Sequence, residues 1–93
     1  PVEGDYETHY HLGIAYKEMG LTEESIRELQ DAMKFVSATD GTRRFLQCCI
    51  LLGHCFMEKE MPNLAVMWFK RGLEAGNITS EERQGLNYEI ANA

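Results

Sequence analysis

The side chains in this 93-residue sequence that could do chemistry by type are His9, His11, His54 and the three cysteines Cys48, Cys49 and Cys55. Together they raise the possibilities of a metal site, a disulfide or a thiol nucleophile. On one helix a pair of metal ligands wants a spacing of i, i+3 or i, i+4. His9 with His11 lacks that spacing, as does His54 with Cys48 or Cys49, and no C-x2-C pattern is present. Cys48 and Cys49 are too close in sequence for an ordinary bridge. Cys55 lies two turns from Cys48, about 10 Å along an ideal helix, against the roughly 4.4 to 6.8 Å between Cα atoms that a disulfide needs. A nucleophile would also need a base in reach and an oxyanion donor, and no motif supplies that set. Gly13 and Gly53 stand alone, without the clustered Gly-Lys pattern of a phosphate loop. The expectation is no catalytic residue, no metal ligand set and no cofactor.

Composition narrows the partners. Fifteen acidic residues against nine basic ones give a net charge of -6, with 44% hydrophobic and 26% charged residues. These are ordinary globular proportions, and the length suits one domain with one core. Only Arg43-Arg44 and Lys70-Arg71 pair their bases, so neither nucleic acid nor an anionic membrane is an expected partner. No apolar run approaches the roughly 18 to 20 residues of a membrane span, and residues 1–5 do not resemble a signal peptide. A soluble protein of a reducing compartment such as the cytoplasm is expected, given three unpaired cysteines. The sequence begins without Met and stops inside a helical pattern, which suggests a piece of a longer protein.

The elements that position these residues show an internal repeat. Under a shift of forty residues Leu12, Gly13 and Tyr16 fall on Leu52, Gly53 and Phe56, while Ile26, Leu29 and Met33 fall on Val66, Phe69 and Leu73. Leu12, Ala15, Tyr16 and Met19 share one helical face, and Gly13 leaves a flat spot for close approach of another helix. After a leader at residues 1–4, Asp5 caps a first helix running to about Met19. Gly20 suits its end, and Thr22 is placed to cap a second helix that carries Ile26, Leu29, Met33 and Val36 at helical spacing. A third helix is predicted from Asp40 or Thr42 to Glu60. A fourth, with Pro62 in its first turn, runs to about Ala75, and a fifth follows the capping-box pattern at Thr79 to Glu82. Cys48 and Cys55 align with Thr8 and Ala15, small sites of a helix-helix interface, and are expected to be inert core thiols. No segment shows strand alternation.

These residues resemble the tetratricopeptide repeat, whose pattern is W-x2-L-G-x2-Y, then A-x3-F, then P over about 34 residues. Leu12, Gly13, Tyr16 and Ala32 match in the first unit; Leu52, Gly53, Phe56, Ala65 and Phe69 match in the second. His9 and Cys49 stand at the Trp position, Ser25 and Leu29 replace Ala and Phe in the first unit, and no Pro closes either unit. The resemblance implies an all-α solenoid of five helices in antiparallel helix-turn-helix repeats. It places repeat one at about 6–39, repeat two at about 46–78 and a partial third at about 80–93, in a single domain over 1–93.

In the family that this resembles, the concave side is lined by the first helix of each unit. The positions carried over are Tyr10, Ile14 and Lys17, then Ile50, His54 and Met57, then Tyr88 and Asn92, flanked by Glu7, His11, Gln47 and Leu51. The resemblance implies a non-catalytic scaffold holding a peptide or helix of a partner protein in that groove. Tyr10 and Ile50 occupy places where the carboxylate clamp that some members use for an acidic chain terminus would want polar or basic groups, and only Asn92 matches in kind, so an apolar segment is the better expected partner. A second surface is expected at Leu64, Met67 and Trp68, apolar at i, i+3 and i+4 where the first unit has Glu24, Arg27 and Glu28. A Trp in an exposed patch points to contact, so the alternative function is assembly, by homodimer formation or by stacking on flanking repeats, through this outer face of the fourth helix and the exposed last helix.

Overall fold

A computed structural model describes residues 5–93, so the leader read at 1–4 lies outside the described residues. All regular structure in the described residues is helical: α1 is Tyr6–Glu18, α2 Thr22–Ala32, α3 Arg44–Glu58, α4 Pro62–Gly72 and α5 Ser80–Ala91, with a 3-10 turn at Met33–Phe35 closing α2.

Local chemistry sets the ends. The Asp5 carboxylate accepts from the Thr8 backbone N–H at 2.8 Å, satisfying one of the free donors of the first turn of α1. That bond, with a further one from the Thr8 hydroxyl, holds the Asp5 carboxyl below its usual range. Gly20 ends α1 with φ +80, and the Leu21 N–H reaches back to the Tyr16 carbonyl at 2.9 Å. Forty residues on, Glu60 takes the same left-handed conformation with φ 60, and the Met61 N–H reaches back to the Phe56 carbonyl at 2.9 Å. The two tight joints are therefore copies. Their brevity corrects the expected cap at Thr22, which is already inside α2; Leu21 precedes it without a side-chain bond.

The longer joint between α2 and α3 is organised by Asp40. Its carboxylate accepts from Ser37 N at 3.0 Å, Thr42 N at 2.9 Å and the Thr42 hydroxyl at 2.8 Å, which also holds the Asp40 carboxyl below its usual range. These bonds use Asp40 in a turn, so α3 starts at Arg44, later than the sequence suggests. The joint docks on the end of the second hairpin through Gly76 N–H to the Ala38 carbonyl at 2.8 Å. Before α5 the capping box forms as read, with Thr79 Oγ1 accepting from Glu82 N at 3.1 Å and Glu82 Oε1 accepting from Thr79 N at 2.9 Å.

The helices pack in sequence as two hairpins, α1 on α2 and α3 on α4, joined by α2 on α3, with α5 laid on α4. Leu29, Leu52, Phe69 and all three cysteines are fully buried, and Leu86 brings α5 to the same core. Each hairpin closes over a glycine: a Cβ on Gly13 would stand 2.7 Å from Leu29 Cγ, and one on Gly53 would stand 2.6 Å from Phe69 Cδ1. Ser25, where the repeat pattern has Ala, is fully buried yet satisfied, donating to the Gly13 carbonyl at 2.7 Å. The backbone spans 39 × 31 × 17 Å, a flattened array.

Candidate functional site

Helices α1, α3 and α5 are tied to one another along one side. Arg44 of α3 meets Glu7 of α1 at 3.2 Å, Lys17 of α1 meets Glu58 of α3 at 2.9 Å, and His54 of α3 meets Glu89 of α5 at 3.2 Å. Tyr6 adds an uncharged link, its hydroxyl lying 3.3 Å from the Arg44 carbonyl and 3.2 Å from Gln47 Oε1, under the Arg44 guanidinium at 5.0 Å from the ring centroid. Half-exposed pairs of this kind contribute about 0 to 1 kcal/mol each, so their role is to set register rather than to hold the fold.

Between α3 and α5 this side opens into a cleft of about 210 Å³. Ile50 and His54 wall it on α3; Glu82, Gly85, Leu86 and Glu89 wall it on α5; and Phe69 of α4 forms its base. The His54 ring meets Phe69 edge-on with centroids 5.5 Å apart, leaving Nε2 to face the Glu89 carboxylate. Gly85 has open space where a side chain would stand, which widens the mouth. The surface inside is apolar, with charge confined to the rim, where Glu82 pairs with Arg43 and Glu89 with His54.

Of the eight residues assigned to the groove from sequence, Ile50 and His54 line this cleft. Tyr10 and Ile14 lie half-buried on α1, and Tyr10 stacks on Tyr6 with centroids 5.1 Å apart. Burial raises the Tyr10 phenol above its usual range, so it stays neutral at ordinary pH. Lys17 is held by Glu58, and Met57 packs half-buried against the core. Tyr88 is 70% exposed, and Asn92 donates its side-chain amide to the Tyr88 carbonyl at 2.8 Å; neither lines the cleft. The flanking residues Glu7, His11 and Gln47 are exposed, and Leu51 is half-buried. Leu86 carried a sequence signal through its spacing with Ile90, but Glu82, Gly85 and Glu89 did not, because only the angle at which α5 meets α3 brings them to His54.

The second surface is corrected at Trp68. Met67 is 49% exposed and Leu64 is half-buried, but Trp68 is only 8% exposed, with the Arg71 guanidinium 4.6 Å from its ring centroid and 6.0 Å from that of Phe45. The reason lies in the repeat itself. Trp68 falls on Glu28 under the forty-residue shift, and Glu28 turns toward α1 to meet His9 at 2.8 Å. That position points into the crevice of its own hairpin, so the three residues do not form one exposed patch.

The cysteines are buried and unpaired. Burial pushes the Cys48 thiol up to about 11 and the Cys49 thiol up to about 12, and it raises Cys55 as well, so none supplies a thiolate near neutrality. No helix among the described residues is long and apolar enough to cross a membrane.

No protein-family model, curated protein or solved structure matches the chain, so the resemblance to tetratricopeptide repeats rests on its own residues and their spacing.

Proposed function

We propose that this protein is a non-catalytic interaction module of tetratricopeptide type, holding a peptide or helix of a partner protein along the side formed by α1, α3 and α5. The observation that carries this reading is the apolar cleft between Ile50 and His54 on one helix and Leu86 on the next. Its volume of about 210 Å³ is below the roughly 300–1,000 Å³ of small-molecule sites and suits one apolar side chain of a longer ligand. Tyr10 and Ile14 lie outside the cleft, half-buried on α1, and would offer further apolar anchors to an amphipathic helix or extended segment. A reducing compartment such as the cytoplasm belongs to the same reading, since three buried thiols remain free. The test is selection of binders from a displayed library of random peptides, followed by rebinding to Ile50→Asp and Met67→Asp. Binders that fail on the first and survive on the second support the groove; the reverse pattern refutes it.

A second reading, assembly by stacking, is favoured by one comparison. Leu52 is fully buried in α3, which packs on α2 as well as α4, whereas Leu12, its counterpart in α1, is 39% exposed, and α1 has no hairpin before it among the described residues. A helix from a second copy or from flanking repeats, packed on α1 as α2 packs on α3, would cover Leu12. Light scattering over a concentration series checks this for the second copy: a dimer that becomes a monomer in Leu12→Glu supports it, and a monomer at every concentration excludes it.

A further inference from the structure

We infer that His9, Glu28 and Asp31 form a binding site for a divalent transition metal, Zn²⁺ above all, at the crevice between α1 and α2. The His9 ring nitrogen, a Glu28 oxygen and an Asp31 oxygen all lie within 4.8 Å of one another, and each residue is half-buried. Nδ1 of His9 is 2.8 Å from Glu28 Oε1. Two electron-pair donors at that distance need one positive centre between or beside them, either a proton on Nδ1 or a metal ion bound to both. The third donor makes the second choice chemically competent. Glu28 and Asp31 are one turn apart on α2, so their carboxylates project to the same side, where His9 arrives from the antiparallel helix.

The donor set selects the ion. One imidazole nitrogen and two carboxylates suit Zn²⁺, at bond lengths of about 2.0 to 2.2 Å, while a nitrogen donor disfavours Mg²⁺ and Ca²⁺. Three protein ligands leave a fourth position for water or for a donor from a partner. Tetrahedral binding places ligand atoms roughly 3.4 Å apart at those bond lengths, a spacing that small side-chain rotations reach from the separations here. Phe35 stacks on His9, with centroids 6.1 Å apart and planes 17° from parallel. The competing cation is Lys34, 3.1 Å from Asp31, but its side chain is 73% exposed and is free to release the carboxylate to water. The site escapes a search for spacing along one helix because its ligands come from two.

The test is calorimetric titration of the reduced full chain with ZnCl₂, for wild type and for Glu28→Gln, Asp31→Asn and His11→Ala. The expected result is saturation at one ion per chain, weakened about tenfold or more in each of the first two variants and unchanged in the third. Both test substitutions keep side-chain size at half-exposed sites, and circular dichroism without metal checks that they fold. Excess Zn²⁺ should also raise the melting temperature of wild type but not of Glu28→Gln. No saturable uptake, or uptake equal in wild type, Glu28→Gln and Asp31→Asn, overturns the assignment.

Discussion

The ring of Phe69 fills the space that a side chain on Gly53 would occupy: a Cβ there would stand 2.6 Å from both Cδ1 and Cζ. Phe69 is fully buried, and its ring is held between Gly53 and the edge-on His54 ring, 5.5 Å between centroids. Gly53→Ala gains up to about 1 kcal/mol of helix propensity but overpacks the core, which typically costs about 1 to 3 kcal/mol. The net expectation is a lower urea midpoint. Gly85 sits in α5 with no neighbouring atom within 4 Å of the place where a Cβ would stand, so Gly85→Ala should stabilise by up to about 1 kcal/mol and raise the midpoint. Opposite signs for the two substitutions are the expected result; a stabilising Gly53→Ala would contradict the packing.

Gly20 and Glu60 hold equivalent left-handed positions, but only Gly20 does so without a Cβ penalty. Glu60→Gly should stabilise by about 1 kcal/mol, and Gly20→Ala should destabilise by a similar amount. For a domain of this size that is a shift of roughly 4 to 8 °C in melting temperature per kcal/mol. Thermal unfolding of both variants checks the pair.

The burial of Trp68 gives a third prediction. Trp68→Glu removes a large packed aromatic, a loss of about 3 to 5 kcal/mol, and leaves a carboxylate in a crevice. It should unfold or strongly destabilise the chain, whereas Met67→Glu, one residue earlier and 49% exposed, should leave the melt within about 0.5 kcal/mol. Equal behaviour of the two would restore the exposed patch that the sequence suggests.

That contrast shows how far the sequence reaches. The close-approach glycines, the apolar stripes that carry Leu29 and Phe69, and the Thr79–Glu82 box follow from spacing, because each pattern lies within one helix or one turn; that Leu29 sits on Gly13 and Phe69 on Gly53 is added by the packing of the hairpins. Trp68 did not follow from spacing, because an apolar residue beside a helix's buried stripe reads the same whether it faces solvent or the crevice of its own hairpin. Ile50 and His54 come from the resemblance, which carries them over from the first helix of the second unit, and both line the cleft. Glu89 and Gly85 were not legible, since their meeting with His54 depends on how α5 lies against α3. His9 with Glu28 is likewise a contact across two helices, invisible to spacing along either.

Stability should fall at both ends of the pH scale. The thiols of Cys48 and Cys49 are raised to about 11 and 12 by burial, from an ordinary value of 9.0. A raised value in the folded state means that the stabilising difference is complete below pH 9 and is lost as pH climbs toward 11 to 12. At the acid end the Arg43 guanidinium, then the Thr79 N–H, hold the Glu82 carboxyl below its usual value of 4.5. Its contribution is present above that value and is lost as pH falls through the lowered one. Urea midpoints from pH 3 to 11 should therefore form a plateau with two falling limbs. Cys49→Ala should make the alkaline limb shallower, with Cys48 still contributing, and Glu82→Gln the acid one, with Asp5 and Asp40 still contributing.

The most direct test of the interaction reading is chemical-shift mapping of a library-selected peptide titrated into isotope-labelled protein. The account predicts that the largest shifts fall on Ile50, His54 and Leu86, continue along Tyr10 and Ile14, and disappear in Ile50→Asp. Shifts centred on the outer faces of α2 and α4, or binding unchanged by Ile50→Asp, would contradict it.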